Sequence, residues 1–421
     1  MKKNILVFPC GSEIGLEIYR SLSFEKNIVL FGGSSVNSDP GKMFYENYYD
    51  GFPYVNDDNF ISYLNEFIEN HNIDILYPAM DSVILKVSEH KDSINCKVIC
   101  SPKGTVEICM SKLKSYKYFE GKFNTPTIYN NSSNMIFPLF TKPDIGYGSR
   151  NTAIVSNQEE LFYYQTKLPN NLLLEYLPGK EFTIDCFSNF HGELIFIGAR
   201  ERKRIVNGIS ASAVPVESDK FNEIANIIND NLKFNGAWFF QVKEDHTGEL
   251  CLLEIAPRIA GVSGLYRNLG INLPLLNIIN LENIEIEVLK NKFNIELEKS
   301  FVSNFKINYT YEHVYIDFDD TLIINSKVNL NAINFIYKSI NDGCKIHLIT
   351  RHLGDLHQEI RKYRLENLFD EIIWLKDGQL KSDYIKHNKG IFIDDAYSER
   401  KDVFQNSNIP VFSVDAIECL L

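Results

Sequence analysis

The segment VYIDFDDTL, residues 314–322, joins an apolar run to carboxylates at alternate positions. Residues 314–316 predict a buried β-strand, and Asp317 and Asp319 follow at its carboxyl end. Because side chains two positions apart in an extended chain point to the same side, these two carboxylates are expected to converge. Open α/β sheets bind their ligands at the carboxyl ends of the strands. The segment therefore predicts an α/β fold with an acidic site at a strand end.

Downstream strands end in side chains that suit phosphate chemistry. One apolar strand ends at Thr350, and another ends at Asp394 and Asp395, which offer the hard oxygen ligands that Mg²⁺ prefers. If that last strand continued, the two carboxylates would point to opposite faces and one of them would be the direct ligand. Lys381 opens a short helix and can neutralise phosphate charge. A carboxylate nucleophile needs such a cation beside it and a second carboxyl group to move the proton of the leaving group.

This order of motifs resembles the haloacid dehalogenase (HAD) superfamily over residues 310–421. The resemblance implies a Mg²⁺-dependent phosphatase in which Asp317 is the nucleophile and Asp319 is the general acid and base. Thr350 and Lys381 would hold the phosphate. The alternative is a cluster of strand-end aspartates that cap helices, and four motifs in order disfavour it.

The same resemblance implies a metal site and an open architecture. Mg²⁺ would lie on Asp317, on Asp394 or Asp395, and on the backbone carbonyl of Asp319. Only short segments occupy the places where such enzymes insert cap domains. We therefore expect a capless, doubly wound parallel sheet whose site is open or is covered by the neighbouring domain.

The middle of the chain carries a second set of motifs, beginning with an apolar strand at residues 137–143 that contains Lys142. The sequence GYGSR follows at residues 146–150. Glycines let backbone amides close over phosphates, and a lysine on the preceding strand would meet an α- or β-phosphate. Such turns are structural in most proteins, so this motif alone indicates little.

Two further segments strengthen the interpretation of a nucleotide site. LLLEYLPGKEFTID, residues 172–185, predicts a strand, a turn and a strand, with Glu175 placed to read an adenine amine and Glu181 a ribose. A strand from Leu250 then carries Glu254, which has the character of a Mg²⁺ ligand, and Arg258 follows as a forked phosphate donor.

Together these segments resemble the ATP-grasp fold, closest to the form in the carbamoyl-phosphate synthase large subunit. The resemblance implies ATP and Mg²⁺ as cofactors, with Gln241 and Glu254 at the metal and Arg258 at the transferred phosphate. The expected nucleotide contacts are Lys112, Lys142, Gly146, Gly148, Ser149, Glu175, Tyr176, Leu177 and Glu181. The family often has Asn where this chain has Ala256, which leaves the number of Mg²⁺ ions open. Within the basic run at 200–204, Arg202 and Arg204 are predicted to bind an anionic substrate or acyl phosphate.

The first hundred residues alternate strands with helices and predict a parallel sheet. Their turn PCGSEIG, residues 9–15, lacks the full GxGxxG pattern, so a dinucleotide site is disfavoured. It resembles the Rossmann-like domain that precedes the ATP-grasp α+β clamp and shapes its substrate cleft. A helix is predicted at 105–119 and a domain junction at 281–308. The predicted domains are 1–100 (pre-ATP-grasp), 101–298 (ATP-grasp) and 310–421 (HAD-like).

Composition excludes several classes of function. The formal net charge of −12 disfavours nucleic-acid binding, which needs clustered Lys and Arg. No apolar stretch reaches the roughly 20 residues of a membrane helix, so no membrane partner is expected. The eight cysteines are scattered, which indicates free thiols in a reducing compartment and a cytoplasmic protein.

The two motif sets together predict an ADP-forming C–N ligase with a fused phosphatase. A small-molecule carboxylate would be activated as an acyl phosphate and attacked by an amine, and one of these partners or the product would carry the phosphate ester. A homo-oligomer is compatible with the sequence. Two alternatives stay open: a carboxylate or carbamate kinase that releases the acyl phosphate, and an ATP-sensing scaffold with an inert phosphatase domain.

Overall fold

The computed structural model describes residues 2–130, 135–146, 148, 150–206, 208–300 and 303–421. Of the predicted site residues, Ser149 lies outside this set. No helix in these ranges is long and apolar enough to cross a membrane.

The first part of the chain forms a parallel sheet with strand order β3-β2-β1-β4-β5. Its strands are β1 (Lys3–Phe8), β2 (Ile28–Gly33), β3 (Asn47–Tyr49), β4 (Ile75–Pro78) and β5 (Lys97–Val98). Its helices are α1 (Glu13–Leu22), α2 (Phe60–Asn70) and α3 (Asp81–Glu89), with short 3₁₀ helices at Pro40–Met43 and Lys91–Ser93. Ser12 caps α1 by accepting from the backbone amide of Gly15 at 2.9 Å. A side chain at Gly15 would meet the carbonyl oxygen of Cys10 at 2.4 Å, so only glycine allows this tight turn.

The central part contains a large antiparallel sheet and a small three-stranded one. The order of the large sheet, within the described ranges, is β13-β12-β9-β10-β11-β14-β15, and that of the small sheet is β7-β6-β8. The elements are α4 (Lys103–Met110), α5 (Lys112–Phe119), β6 (Leu139–Pro143), β7 (Ala153–Val155), α6 (Gln158–Lys167), β8 (Asn171–Glu175), β9 (Glu181–Ser188), β10 (Leu194–Val206), β11 (Ile209–Val216), α7 (Asp219–Asn231), β12 (Gly236–Glu244), β13 (Leu250–Ala256), α8 (Gly264–Arg267), α9 (Leu273–Leu281), β14 (Ile295–Lys299) and β15 (Ser303–Ile307).

The C-terminal part forms a second parallel sheet, with order β20-β19-β16-β21-β22. Its elements are β16 (His313–Ile316), the hairpin β17 (Ile323–Ile324) and β18 (Lys327–Val328), α10 (Leu330–Asn341), β19 (Lys345–Thr350), α11 (Leu356–Lys362), β20 (Glu371–Trp374), β21 (Gly390–Ile393), α12 (Tyr397–Ser407) and β22 (Val411–Phe412), with 3₁₀ helices at Lys381–Tyr384 and Val414–Leu420. The strand quoted first from the sequence, β16, is the central strand and is fully buried at Val314 and Ile316.

The prediction of one helix at residues 105–119 is wrong, because Ser111 separates two helices, α4 and α5. Ser111 is extended (φ −105°, ψ 118°), and its hydroxyl accepts from the amide of Lys114 as the N-cap of α5. The same hydroxyl also lies 2.9 Å from the carboxylate of Asp144. The cap and this long-range contact outweigh the continuous helical pattern.

The junction predicted at 281–308 contains two strands rather than a linker alone. Strands β14 and β15 pair antiparallel and extend the central sheet to residue 307, nine residues beyond the predicted limit at 298. In β14 the apolar and acidic residues alternate, and the two apolar side chains, Ile295 and Leu297, are buried. This is expected for a strand that has one face packed on the core and the other in solvent.

Arg267 at the end of α8 joins the three parts of the chain. Its guanidinium is 2.9 Å from Glu17 on α1 and 2.8 Å from Glu418 in the C-terminal 3₁₀ helix. The side chain is almost fully buried, and a single hydrophobic cluster around it draws residues from all three parts. Removing one partner from a buried ion pair is strongly destabilising, so this network holds the parts in one arrangement.

Candidate active sites

A cavity of about 250 Å³ lies between the small sheet and the large central sheet. Most of the nucleotide-binding residues predicted from the sequence line it, namely Lys112, Lys142, Gly146, Gly148, Glu175, Tyr176, Leu177, Glu181, Gln241 and Glu254. They come from α5, β6, β8, β9, β12 and β13 and the loops between them. The fold therefore brings together residues that are up to 142 positions apart, from Lys112 to Glu254.

Two lysines supply positive charge to this cavity. The ammonium of Lys142 donates to the carbonyl of Leu253 at 3.1 Å, and that of Lys112 donates to the carbonyl of Gly146 at 3.0 Å. Burial and the charge of Lys112 lower the pKa of Lys142 to about 8. Neither ammonium has a carboxylate within ion-pair distance in the described structure, so both are available to an anionic ligand.

The predicted metal ligands lie opposite each other on adjacent strands, because Gln241 of β12 pairs with Glu254 of β13. The side-chain oxygen of Gln241 accepts from Arg202 at 3.3 Å. Arg202 also forms an ion pair with Glu181, the residue predicted to contact a ribose. Ala256, at the end of β13, lines the adjoining cleft and has no side-chain oxygen to offer a metal.

A larger cleft of about 880 Å³ adjoins the cavity and is lined by residues of the first sheet as well as the central one. Arg258 lies in this cleft and forms a forked ion pair with Asp81, with Nη2 2.8 Å from Oδ2. Asp81 begins α3 and was not singled out in the sequence. It is 177 positions from Arg258, so no local pattern indicates the pair.

The predicted anion-binding pair Arg202 and Arg204 is separated by the fold. Arg202 lines both the cavity and the cleft, and its Nε is buried without a hydrogen-bond partner in the described structure. Arg204 instead pairs with Glu298 at 2.9 Å and lies outside both. Lys203 is an extra residue in β10: Arg202 pairs with Ala213 and Arg204 with Ser212, so the two arginines face opposite sides. The expectation that Arg204 shares this site is therefore corrected.

At the carboxyl end of the C-terminal sheet, Lys381 bridges two aspartates. Its ammonium is 2.6 Å from Asp317 and 2.6 Å from Asp394, and the side chain is only 3% exposed. Burial and the charge of Asp394 raise the pKa of Asp317. Thr350 ends the neighbouring strand β19 and is also buried.

Carboxylate oxygens of Asp317, Asp394 and Asp395 all lie within 4.8 Å of one another. Strand β21 ends at Ile393, and the chain turns so that the amide of Asp395 donates to Thr321 at 3.1 Å. Asp394 and Asp395 were expected to point to opposite faces only if the strand continued, and because the strand ends at Ile393 this condition is not met. This group of hard oxygen ligands fits Mg²⁺, whose charge would offset their mutual repulsion.

Asp319 lies apart from this cluster. Its side chain is 51% exposed and contacts Nδ1 of His352 at 2.9 Å. His352 follows Thr350 by two residues and was not indicated by any sequence pattern. Its carbonyl accepts from the Trp374 indole at 3.0 Å, which holds the segment after β19 beside Asp319.

The first sheet also reaches this acidic edge. Lys26, in the turn between α1 and β2, lies 2.9 Å from Asp320 and 3.6 Å from Asp395. Beside it, burial and the charge of Asp415 raise the pKa of Glu25 to about 7. Lys26 is 294 positions from Asp320, so sequence reasoning could not have found it.

Residues 167–300 match the family described as "ATP-grasp in the biosynthetic pathway with Ter operon". No curated protein gave a match.

Several solved structures are similar to most of the chain. The biotin carboxylase domain of Hydrogenobacter thermophilus 2-oxoglutarate carboxylase, in complex with MgADP, ADP and bicarbonate, has a TM-score of 0.60 and 14% identity, covering 71% of this chain and 74% of that one. N5-carboxyaminoimidazole synthetase from Staphylococcus aureus, complexed with ADP, has a TM-score of 0.60 and 12% identity, covering 71% of this chain and 83% of that one. L-amino acid ligase from Bacillus licheniformis has a TM-score of 0.57 and 14% identity, covering 71% of this chain and 79% of that one.

The family match covers the central sheet apart from β15, and helices α7 to α9. The similar structures cover more of the chain than the family match does. Their sequence identities to this chain are low, so they show a shared fold and nothing further. The predicted fold of the middle of the chain is thereby confirmed: this protein contains the ATP-grasp fold.

Proposed function

We propose that this protein is an ATP-dependent ligase that activates a small-molecule carboxylate as an acyl phosphate for attack by an amine. ATP would occupy the 250 Å³ cavity, with Lys112 and Lys142 on its phosphates. The observation that carries this proposal is the pair of buried ammonium groups that have no carboxylate partner among the described residues. Buried charges without a counter-charge are costly and are stabilised when an anion binds.

The remaining cavity residues fit the other parts of Mg-ATP. Glu175, Tyr176 and Leu177 line the cavity at the end of β8 and would offer backbone and carboxylate groups to an adenine, and Glu181 in the same cavity would contact the ribose. Gln241 and Glu254 would hold Mg²⁺, which neutralises charge on the transferred phosphate. With Ala256 unable to ligate, Gln241 is the second side chain through which a metal would be held.

The carboxylate substrate would lie in the 880 Å³ cleft. The Nε of Arg202, which has no hydrogen-bond partner in the part of the chain that the structure describes, and the guanidinium of Arg258 are the donors that an acyl phosphate or carboxylate would meet there. Asp81 is paired with the guanidinium of Arg258, so an anionic substrate would compete with this carboxylate. The role of the protein is to position the reactants and neutralise their charge.

We further propose that residues 310–421 form a HAD-like, capless phosphatase domain, beside a pre-ATP-grasp domain at 1–100 and an ATP-grasp domain that begins at 101 and, with β14 and β15, extends to 307. Asp317 would attack the phosphorus of a phosphate ester and form an aspartyl phosphate. Asp319 would give the departing alcohol its proton and then take one from the water that hydrolyses the aspartyl phosphate. The short contacts of Lys381 to Asp317 and Asp394 support this assignment.

Mg²⁺ bound to this carboxylate cluster would orient the phosphate and neutralise its charge. Asp317, Asp394 and Asp395 would hold it, together with the backbone carbonyl of Asp319. His352 would orient the side chain of Asp319 until the substrate arrives.

The pH dependence of ATP binding provides one test of the nucleotide site. Lys142, with its pKa lowered to about 8, is charged below that pH and neutral above it. ATP favours the charged form, so binding should take up a proton near pH 8–9, and affinity should fall about tenfold between pH 7 and 9. Calorimetry in buffers of different ionisation enthalpy measures both effects. Lys142→Met should abolish the proton uptake, and a wild-type affinity that is constant from pH 7 to 9 would contradict the assignment.

Lys26 provides a test of the contact between the first sheet and the proposed phosphatase site. Lys26→Ala removes a cation that lies 3.6 Å from the proposed metal ligand Asp395. We expect the KM for a phosphate ester to rise up to about fivefold, since partly exposed ion pairs contribute up to about 1 kcal/mol. The Mg²⁺ concentration that gives half-maximal activity should fall, because Lys26 no longer competes with the metal for Asp395. Both effects should disappear at high salt. Lys42→Ala, at an exposed lysine in the 3₁₀ helix Pro40–Met43 of the same part of the chain, is the matched control; identical kinetics for the two variants at low salt would exclude a role for Lys26.

The order of the two reactions is tested by ³¹P NMR of Mg-ATP with a metabolite extract. If the phosphatase acts on the ligation product, Asp317→Asn should accumulate a phosphate ester that the wild type converts to free phosphate. Release of the same dephosphorylated product by both proteins would contradict that order. Hydroxylamine added to the same mixture traps acyl phosphate, and amine-independent accumulation would identify a kinase instead of a ligase.

A further inference from the structure

Three histidines gather at the amino-terminal end of the C-terminal sheet. His313 begins β16, His347 is the third residue of the adjacent β19, and His387 lies on the connection before β21. One ring nitrogen of each lies within 4.8 Å of the others. His313 and Asp317 are at opposite ends of β16, so this group is about 13 Å from the carboxylate cluster.

The spacing of two of these nitrogens suits a common metal ion. Nδ1 of His313 and Nε2 of His347 are 3.0 Å apart. Two imidazole nitrogens bound to tetrahedral Zn²⁺ at about 2.0–2.1 Å are separated by roughly 3.3 Å. A shift of a few tenths of an ångström would therefore let both nitrogens bind one cation.

A carboxylate orients the ring at the centre of the group. Nδ1 of His347 is 2.8 Å from Glu371, the first residue of β20. The carboxylate can only accept, so Nδ1 carries the hydrogen and the lone pair of Nε2 faces His313. Histidines that bind metals usually donate their second ring N–H to a carboxylate in this way. Glu371 is thus the outer partner of His347 rather than a fourth ligand.

The positions of the three rings allow an ion to enter and bind between them. The His387 ring stacks on His313 with centroids 3.6 Å apart and planes within 7°. It lies on residues 385–389, which belong to no helix or strand, so rotation of its side chain can turn a nitrogen toward an ion between the rings. His347 is buried, whereas the other two rings are partly exposed, which provides a path of entry.

We propose that His313, His347 and His387 bind Zn²⁺ or a divalent cation of similar ligand preference, with Glu371 as outer partner and a fourth position left to water. Imidazole nitrogen selects Zn²⁺ over Mg²⁺, whereas the carboxylate cluster at the other end of β16 selects Mg²⁺. The chain would then carry two chemically distinct metal sites in one domain.

Zinc titration of the full chain against a chromophoric chelator tests this site, with the visible absorption of bound Co²⁺ as a second readout of nitrogen coordination. We expect one tight site in the wild type. His387→Gln and His347→Asn should weaken it at least tenfold, and Glu371→Gln should weaken it 10–100-fold. His191→Gln, an exposed histidine that also contacts a glutamate, should bind as the wild type does.

Substitution of the buried His347 can unfold the protein, so the variants at the partly exposed His387 and at Glu371 decide the outcome on their own. Asp317→Asn separates the two sites, because it should retain Zn²⁺ binding while losing the Mg²⁺ site. Wild-type affinity in both His387→Gln and Glu371→Gln would overturn the proposal. Loss of Zn²⁺ binding in Asp317→Asn alone would also overturn it, by assigning the ion to the carboxylates.

Discussion

Replacing Lys142 with methionine is expected to lower ATP-dependent turnover by about 10²–10³-fold, the size of effect that follows removal of one preorganised oxyanion-hole donor in other enzymes. The ammonium lies buried in the proposed nucleotide cavity, 3.1 Å from the carbonyl of Leu253. Methionine has a similar volume but carries no charge, so the phosphates would lose this contact. ADP formation in the presence of a metabolite pool, and MgATP affinity by calorimetry, measure the effect.

The stability of this variant separates a lost contact from a misfolded protein. Burial lowers the pKa of Lys142, which means that the ligand-free fold disfavours its charged form. Methionine at this position should leave the melting temperature unchanged or raise it. Lys117→Met, at an exposed position on the same helix as Lys112, is the control and should keep full turnover. Normal ATP affinity and turnover in Lys142→Met would exclude the proposed nucleotide position.

Replacing Asp317 with asparagine should abolish hydrolysis of a small aryl phosphate, with a loss on the order of 10³-fold or more. An amide cannot form the acyl phosphate, and it also removes one negative charge from the proposed Mg²⁺ site. Acid quenching of the wild type with a radiolabelled ester should trap a hydroxylamine-sensitive protein phosphate that Asp317→Asn lacks. Chelation of Mg²⁺ should eliminate the activity of the wild type as well.

The matched control for that experiment is Asp377→Asn, an exposed aspartate of the same sheet region that lies outside the carboxylate cluster. It should retain the wild-type rate. Equal rates in Asp317→Asn and the wild type would place any phosphatase activity elsewhere, or assign it to a contaminant. Unchanged ATP-dependent turnover in Asp317→Asn would show that the two sites act separately.

The local sequence pattern was sufficient to predict the strands that carry the proposed site residues. The apolar run at 314–316 predicted the central strand, and the polar residues at strand ends gather where parallel strands share an edge. The same reasoning brought Lys142, Glu175 and Glu254 into one cavity, because each belongs to a strand whose side-chain alternation is readable from the sequence. The resemblance to ATP-grasp proteins predicted the fold of the middle of the chain.

Local pattern failed where one residue changed the conformation. An extra residue at Lys203 reverses the direction of Arg204, and the cap at Ser111 divides one apparent helix into two. The end of β21 at Ile393 brings carboxylate oxygens of Asp394 and Asp395 within 4.8 Å of each other and of Asp317. A bulge, a cap or a strand end depends on contacts with other elements, so the periodicity of the segment alone does not reveal it.

By itself, then, the sequence determined the strands and the polar residues at their ends, since periodicity and side-chain chemistry are local properties, and its resemblance to ATP-grasp proteins indicated the fold of the middle of the chain. Only the tertiary structure decided which charges meet. It paired Arg258 with Asp81 across 177 residues, placed Lys26 beside the carboxylates of the last sheet, and gathered three histidines from separate segments. The physical reason is that such contacts depend on how whole sheets pack against one another, and packing is set by the shape of the buried core rather than by any one segment.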